Sequence, residues 1–303
     1  MARERSECVS ALAASLTVPP RLWSVPVYLP YLQPVLTDLM LQDAEAQLGV
    51  RLPGAYVAAL RIQNGGYLRL TDHPAGFARV KSIAGIGPRF PSILEHDWTE
   101  LKEYMVQEDI TTPRRIDDLI PFCGDGHFHY CFDYRRSGRM EEPCVTYIDV
   151  ECFDADEMLA ADFGTFLHQL KPKMETAYGL VTHDPAEIVA AAVSEATGLL
   201  MEDRGEEWDG YRLFRAALLG GGWAWLSANR TRHGFVRKRD PEFEVLSGLL
   251  PDVVARYPEH ADCGYFLNCQ SECGADFESD AGRTVVRDLT KLPFLSRALL
   301  LEG

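Results

Sequence analysis

Between Thr37 and Gly66 the chain specifies a helix, a stop and a second helix in quick succession. Thr37 is the predicted N-cap, Asp38 places a negative charge in the first turn, and Leu36 can staple against Leu41. Leu41, Ala44 and Leu48 recur at helical spacing, so one face is apolar. Gly49 suits the left-handed position beyond the helix end, and Pro53 sits where a second helix starts. Tyr56, Ala59, Leu60 and Gln63 share a face of that second helix. Asn64-Gly65-Gly66 ends it in a turn that leads into the β-like run Tyr67-Leu68-Arg69-Leu70. Every feature here concerns folding, and none is catalytic.

The rest of the chain divides around this stretch. Residues 1–36 carry Pro19, Pro20, Pro26, Pro30 and Pro34 among Trp23, Tyr28 and Tyr31, and proline at that density opposes both helix and central strand. They read as an extended arm packed on a domain spanning 37–171. Within that domain Asp97 to Val106 reads as a helix, and Trp98 is a candidate core anchor. Asp125-Gly126 is a hairpin turn. The strand after it alternates, with Phe128, Tyr130 and Phe132 on one face and His127, His129, Cys131 and Asp133 on the other, a face expected to be half-exposed. Val145 to Val150 is another strand, and Phe163, Phe166, Leu167 and Leu170 give a closing amphipathic helix. Helices with several antiparallel strands make an α+β domain.

Lys171 to Pro185 marks a boundary. From 184 to 303 a second, smaller α+β domain is expected. Its predicted elements are a helix over Ala186–Leu200, with Ile188, Ala191, Ala192, Glu195 and Leu199 on one side, and a strand Trp223–Leu226. A basic loop over Asn229–Arg239, a helix over Phe243–Leu250, a strand Tyr265–Cys269 and a strand at Val285-Val286 follow.

Charge narrows the range of partners. The 303 residues carry a net charge of −15, which opposes nonspecific binding to nucleic acid or anionic membranes and favours basic partners. No apolar run approaches the ~20 residues of a membrane-spanning helix, and the N-terminus lacks the pattern of a secretory signal, so the expected location is cytoplasmic. The cysteines form no CxxC pair, and reduced thiols are expected in place of a disulfide framework or zinc ribbon. Between Ile93 and Asp162 acids far outnumber bases. Glu141, Glu142, Asp149, Glu151, Asp154, Asp156 and Glu157 form the densest part of that excess.

The segments AEAQLGVRLPGAYVAALRIQNGG, FPSILEHDW, LIPFCGDGHFHYCFDYR, EPCVTYIDVE and FGTFLHQL stand in the order found in the SUKH superfamily. The chain resembles its bacterial branch, related to fungal regulators of cell-wall assembly and glucan synthesis, over roughly Pro26 to Leu170. Matching positions are Leu52, Pro53, Asn64 to Gly66, Asp125, Gly126 and Asp133, and most look structural. The resemblance implies a mixed, mainly antiparallel sheet flanked by helices. It also implies a protein-binding module with no fixed catalytic set and no cofactor. Bacterial members are commonly immunity proteins that neutralise toxins, many of them nucleases, whereas the fungal relatives act as regulatory scaffolds.

Three functional expectations follow. In the first, the acidic residues named above dock the basic cleft of a nuclease-like toxin, with Trp98 and Tyr134 as anchors if exposed. In the second, the protein is a regulatory scaffold acting through its second domain. The third is a metal-dependent enzyme at His127 and His129, which share a strand face at a spacing that can bring two imidazoles to one ion. Cys131 or Asp133 would have to complete that site, and residues four apart on a strand lie ~13 Å apart. Cys263, Cys269 and Cys273 with His260 have irregular spacing, Gly220-Gly-Gly222 does not open a helix, and GxSxG and HExxH are missing. The basic loop at Arg230, Arg232, His233, Arg237, Lys238 and Arg239 is expected to pair with acidic protein surface and not with nucleic acid.

Overall fold

Thr37 caps the first helix: its hydroxyl accepts from the Met40 backbone N–H at 3.2 Å. Helix α1, Asp38–Leu48, ends at Gly49, whose φ of 64° is the left-handed conformation glycine adopts without penalty. Helix α2, Gly54–Ile62, begins one residue later than the sequence suggests, with Pro53 at the N-cap, and buries Ala55, Tyr56, Ala59 and Leu60. In this computed structural model the described residues are 18–95, 98–107, 115–150, 156–172, 176–207, 209–218, 222–243, 245–246, 248–270 and 292. They fall into two compact units. One holds the described residues up to 24 together with 30–171, and the other holds 25–29 and those from 172 onward.

In the first unit the run after Gly66 is two strands, β1 (Gly66–Tyr67) and β2 (Leu70–Asp72). The arm interrupts it: Trp23 bridges Leu68, and the Arg69 N–H donates to Leu22 O at 2.9 Å. Strand β3 (Ser82–Ile83) pairs antiparallel with β1. The Asn64 side chain fastens three segments. Its amide donates to Pro34 O at 2.6 Å and Ile86 O at 2.8 Å, and its oxygen accepts from Ile86 N–H at 2.9 Å. Gly85 packs against this knot, where a Cβ would lie 2.8 Å from Asn64 O.

The main sheet of the first unit is an antiparallel meander of β4 (Leu119–Gly124), β5 (Phe128–Asp133), β6 (Cys144–Asp149) and β7 (Glu157–Ala160). The β4–β5 turn is the predicted one, with Gly126 at φ 97° and the Asp125 carboxylate accepting from His127 N–H. One face presents Phe122, Tyr130, Phe132, Val145 and Tyr147 to the core. Tyr56 of α2 and Phe163 and Phe166 of a later helix, Phe163–Gln169, complete it. Phe122 stacks on Phe132 at 4.7 Å, and Tyr56 meets Phe132 edge-on at 5.0 Å. Full burial of each ring is worth roughly 1.5–3 kcal/mol. A short helix, α3 (Thr99–Gln107), follows Trp98, and α4 (Phe163–Gln169) is capped by Asp162, which accepts from Thr165 N–H at 2.8 Å.

Beyond β8 (Lys171–Pro172), the second unit contains β9 (Thr176–Leu180), α5 (Ala186–Thr197), β10 (Glu202–Asp203), β11 (Leu213–Ala217), β12 (Trp223–Ala228), α6 (Pro251–Arg256) and β13 (Tyr265–Gln270). Its sheet is antiparallel in the order β10-β11-β12-β13-β9. Helix α5 packs on it through Val189, Ala190 and Val193, not through the side expected from the sequence, and Ile188 is 57% exposed. In so alanine-rich a helix both sides are apolar, and the buried one carries two valines, a turn apart, against the single Ile188 on the other. Residues 241–243 form a turn in place of the expected helical start, and the helix begins at Pro251, where proline suits the first turn. Val285-Val286 lies outside the described residues. The segment Val25–Leu29 adds an extended stretch to this unit: Leu29 N–H donates to Phe235 O, and Phe235 N–H to Val27 O. Among the described residues no helix is long and apolar enough to cross a membrane.

Candidate functional site

The face of the β4–β7 sheet turned away from the main core is where the expected polar side chains come together. Alternation sends Cys131, Asp133, Thr146 and Ile148 there. The expectation of a half-exposed face holds at its His127 and His129 end and fails at the other. Cys131 and Ile148 are buried with Trp98, Ile116 and Leu119 in a second apolar cluster, and Asp133 is 2% exposed.

A buried carboxylate needs partners, and Asp133 has four donors. Arg135 grips it with Nε on Oδ1 at 2.9 Å and Nη2 on Oδ2 at 2.7 Å, and the Arg135 backbone N–H donates to Oδ1 at 3.0 Å. The Thr146 hydroxyl donates to Oδ2 at 2.8 Å. The same guanidinium reaches Asp156, with Nη2 on Oδ1 at 2.8 Å and Nη1 on Oδ2. Burial pushes the Asp133 carboxyl up, but the hydrogen bonds from Arg135 and Thr146 and the Arg135 charge outweigh it and hold the group below the ordinary carboxylate range. Beside this triad lies an open recess of about 220 Å³, lined by Asp133, Arg135, Arg136, Thr146, Asp156 and Met158. The role of Arg135 is not among the sequence expectations. The available signal was an Asp and an Arg two apart where a strand ends.

The residues expected to bind a partner are spread out. Trp98 and Tyr134 are anchors only if exposed, and both are buried, so they are corrected to core residues. The Trp98 indole N–H donates to Leu119 O at 3.0 Å, and the Tyr134 hydroxyl donates to Arg51 O at 2.6 Å. Glu141 and Glu142 are exposed, and Glu142 accepts from Gly54 N–H at the start of α2, at 3.4 Å. Asp149 is half-exposed at the far end of β6, a strand length of roughly 17 Å from the Glu142 end. Asp156 is held by Arg135, and Glu157 is exposed at the start of β7. Glu151 and Asp154 lie outside the described residues. The described carboxylates therefore form separate groups at the two ends of β6.

The geometry does not favour chemistry at the histidines. His127 is exposed, whereas His129 is half-buried edge-on to Trp98 at 5.1 Å, and its burial lowers its pKa. Among the described residues no three His, Cys, Asp or Glu side chains converge as metal ligands. Burial pushes the Cys123 thiol up to about 11 and that of Cys131 well above its ordinary value, the reverse of a poised thiolate.

The family model described as SMI1 / KNR4 family (SUKH-1) matches residues 36–169, the segment that contains the two opening helices, the meander and its closing helix. No curated protein matches the chain.

Proposed function

We propose, since the chain belongs through residues 36–169 to the SUKH superfamily, that it is a non-catalytic binding module of the immunity type, neutralising a basic, nuclease-like toxin through carboxylates of the first unit. The family accounts for the binding of a protein partner in general, and the acidic residues of the first unit suit a basic toxin in particular. The observation that carries it is that Glu141, in the turn before β6, and Glu157, at the start of β7, stay exposed, with half-exposed Asp149 at the far end of β6. Carboxylates held this way can occupy a phosphate-binding cleft and steer association. Glu151 and Asp154 belong to the same proposed surface. A cytoplasmic setting follows from this role.

The test is capture of a partner from source cells by the full chain, followed by association measurements against salt. Glu141→Lys combined with Glu151→Lys and Glu157→Lys should slow association at least about tenfold, with the wild-type rate falling steeply as salt rises. Association indifferent to both salt and charge reversal would overturn the reading. It would leave the second, a regulatory scaffold acting through the second unit, which that unit's own core and sheet favour.

A further inference from the structure

The basic loop of the second unit is held in shape by that unit's own side chains. The Arg230 guanidinium donates to Gly234 O at 2.9 Å and lies 4.0 Å from the centre of the Tyr211 ring. The Tyr211 hydroxyl accepts from Val236 N–H at 3.2 Å, and the Asp240 carboxylate accepts from Arg237 N–H at 2.8 Å. Lys238 N–H donates to Asp209 O at 2.8 Å, and the Lys238 ammonium pairs with Glu206 at 2.7 Å. None of these bonds uses Val25–Leu29, the strap that groups with this unit. The loop is thus organised by contacts of its own, and the strap lies in it as an occupant. Main-chain pairing between the two is brief: a single parallel bridge, Tyr28 with Phe235, against a register of six residues between β12 and β13. Side chains supply the rest. Tyr28 packs on Phe235 at 5.1 Å, the Arg237 guanidinium sits 4.8 Å from the Tyr28 ring centre, and the Tyr28 hydroxyl donates to Asp240 Oδ2 at 2.6 Å. Val27 and Leu29 are buried on either side, close against Gly234, where a Cβ would lie 2.7 Å from Val27 O.

We propose that the Phe235–Arg237–Asp240 slot is a recognition site for an extended protein segment carrying tyrosine between aliphatic residues, and that Val25–Leu29 is its built-in competitor. The occupant itself shows the chemistry the slot takes. A short main-chain pairing combined with a pocketed side chain is how added strands are recognised, with the pairing giving affinity and the pocket giving specificity. Phe235 and the Arg237 guanidinium receive the ring. The Asp240 carboxylate requires a donor, so a phenol fits, whereas a phosphorylated tyrosine would set two anions against each other. A tethered occupant acts at an effective concentration of about 1 mM, so an outside segment competes poorly until the strap is weakened. The site stands apart from the acidic residues of the first unit and does not depend on their role.

The experiment titrates the full chain, by fluorescence anisotropy, with a labelled, end-capped peptide of the sequence Val25–Pro30. Tyr28→Ala, which weakens the strap and leaves the slot intact, should bind it saturably and roughly tenfold or more tighter than the wild type does. Adding Phe235→Ala to that variant should remove the binding, and a peptide with phenylalanine in place of its tyrosine should bind roughly tenfold more weakly. The phosphotyrosine form of the peptide should not bind. Should Tyr28→Ala lose its cooperative melting transition, Tyr28→Phe, which gives up only the bond to Asp240, carries the test. No saturable binding to either Tyr28 variant, equal binding to the wild type, indifference to Phe235→Ala or preference for the phosphotyrosine form would each overturn the proposal. A dimer of the Tyr28 variants that the peptide does not dissociate would assign the slot to a second copy of the chain, and would overturn it too.

Discussion

The two sheets of this protein treat their second faces differently. In the first unit the face away from the main core is exposed at His127, closed where Trp98, Cys131 and Ile148 pack, and bound together by the Asp133–Arg135–Asp156 triad where Asp133 is buried. In the second unit the corresponding face is closed at the Phe266 end and left half-open around Trp225. Polarity of residue type would assign these the other way round, with Asp, His and Thr on the closed face and two tryptophans on the open one. What decides closure is whether each polar group finds a partner. Asp133 finds four donors and is buried, whereas Trp225 stays half-exposed.

The contrast can be probed by removing one side chain from each kind of face. The largest effect is expected on the main core face, where Phe132→Ala removes a fully buried ring packed against Tyr56, Phe122 and Phe163. It should cost about 3–5 kcal/mol by urea unfolding. Next is the closed polar face: Asp133→Ala leaves Arg135 and Thr146 without their shared acceptor and should cost about 3 kcal/mol. A cost near zero would mean that the triad is a surface ornament and the contrast false.

The same carboxylate has a pH signature. Its folded pKa lies below the unfolded value of about 3.9. Its contribution is therefore complete above that value and is lost as pH falls through the folded pKa. Stability measured from about pH 5 downward should fall more steeply in the wild type than in Asp133→Asn. The smallest effect is expected on the open face, where Trp225→Leu should change unfolding free energy by less than about 1 kcal/mol. A larger loss would show that this face is part of the core.

Local chemistry was legible in the sequence, and pairing over distance was not. The caps at Thr37 and Gly49, the Asp125-Gly126 turn and the alternation from Phe128 to Asp133 each depend on residues within a few positions. All of these appear in the structure, within an α+β fold. The burial of Asp133 depends on Thr146, which donates to it from the neighbouring strand, and on Asp156, which holds its partner Arg135 from just before β7, and no spacing rule announces that. Trp98 and Tyr134 failed as surface anchors for a related reason. Each has a hydrogen-bond partner, Leu119 O or Arg51 O, that only the fold brings near. In α5, helical period was readable, but Ile188, Val189 and the alanines gave the sequence no way to choose which side turns inward.

The placement of Val25–Leu29 has a consequence for how the polypeptide is made. Val27 leaves the ribosome long before Phe235, the residue whose backbone it engages. At ~5–20 residues per second, roughly 10–40 s of synthesis separate the two. Val25–Leu29 therefore waits without its partner until the second unit emerges, and no single cut in the polypeptide releases that unit whole. A fragment starting after the first unit would carry Phe235 with an unfilled edge, a concrete liability for anyone expressing the halves separately.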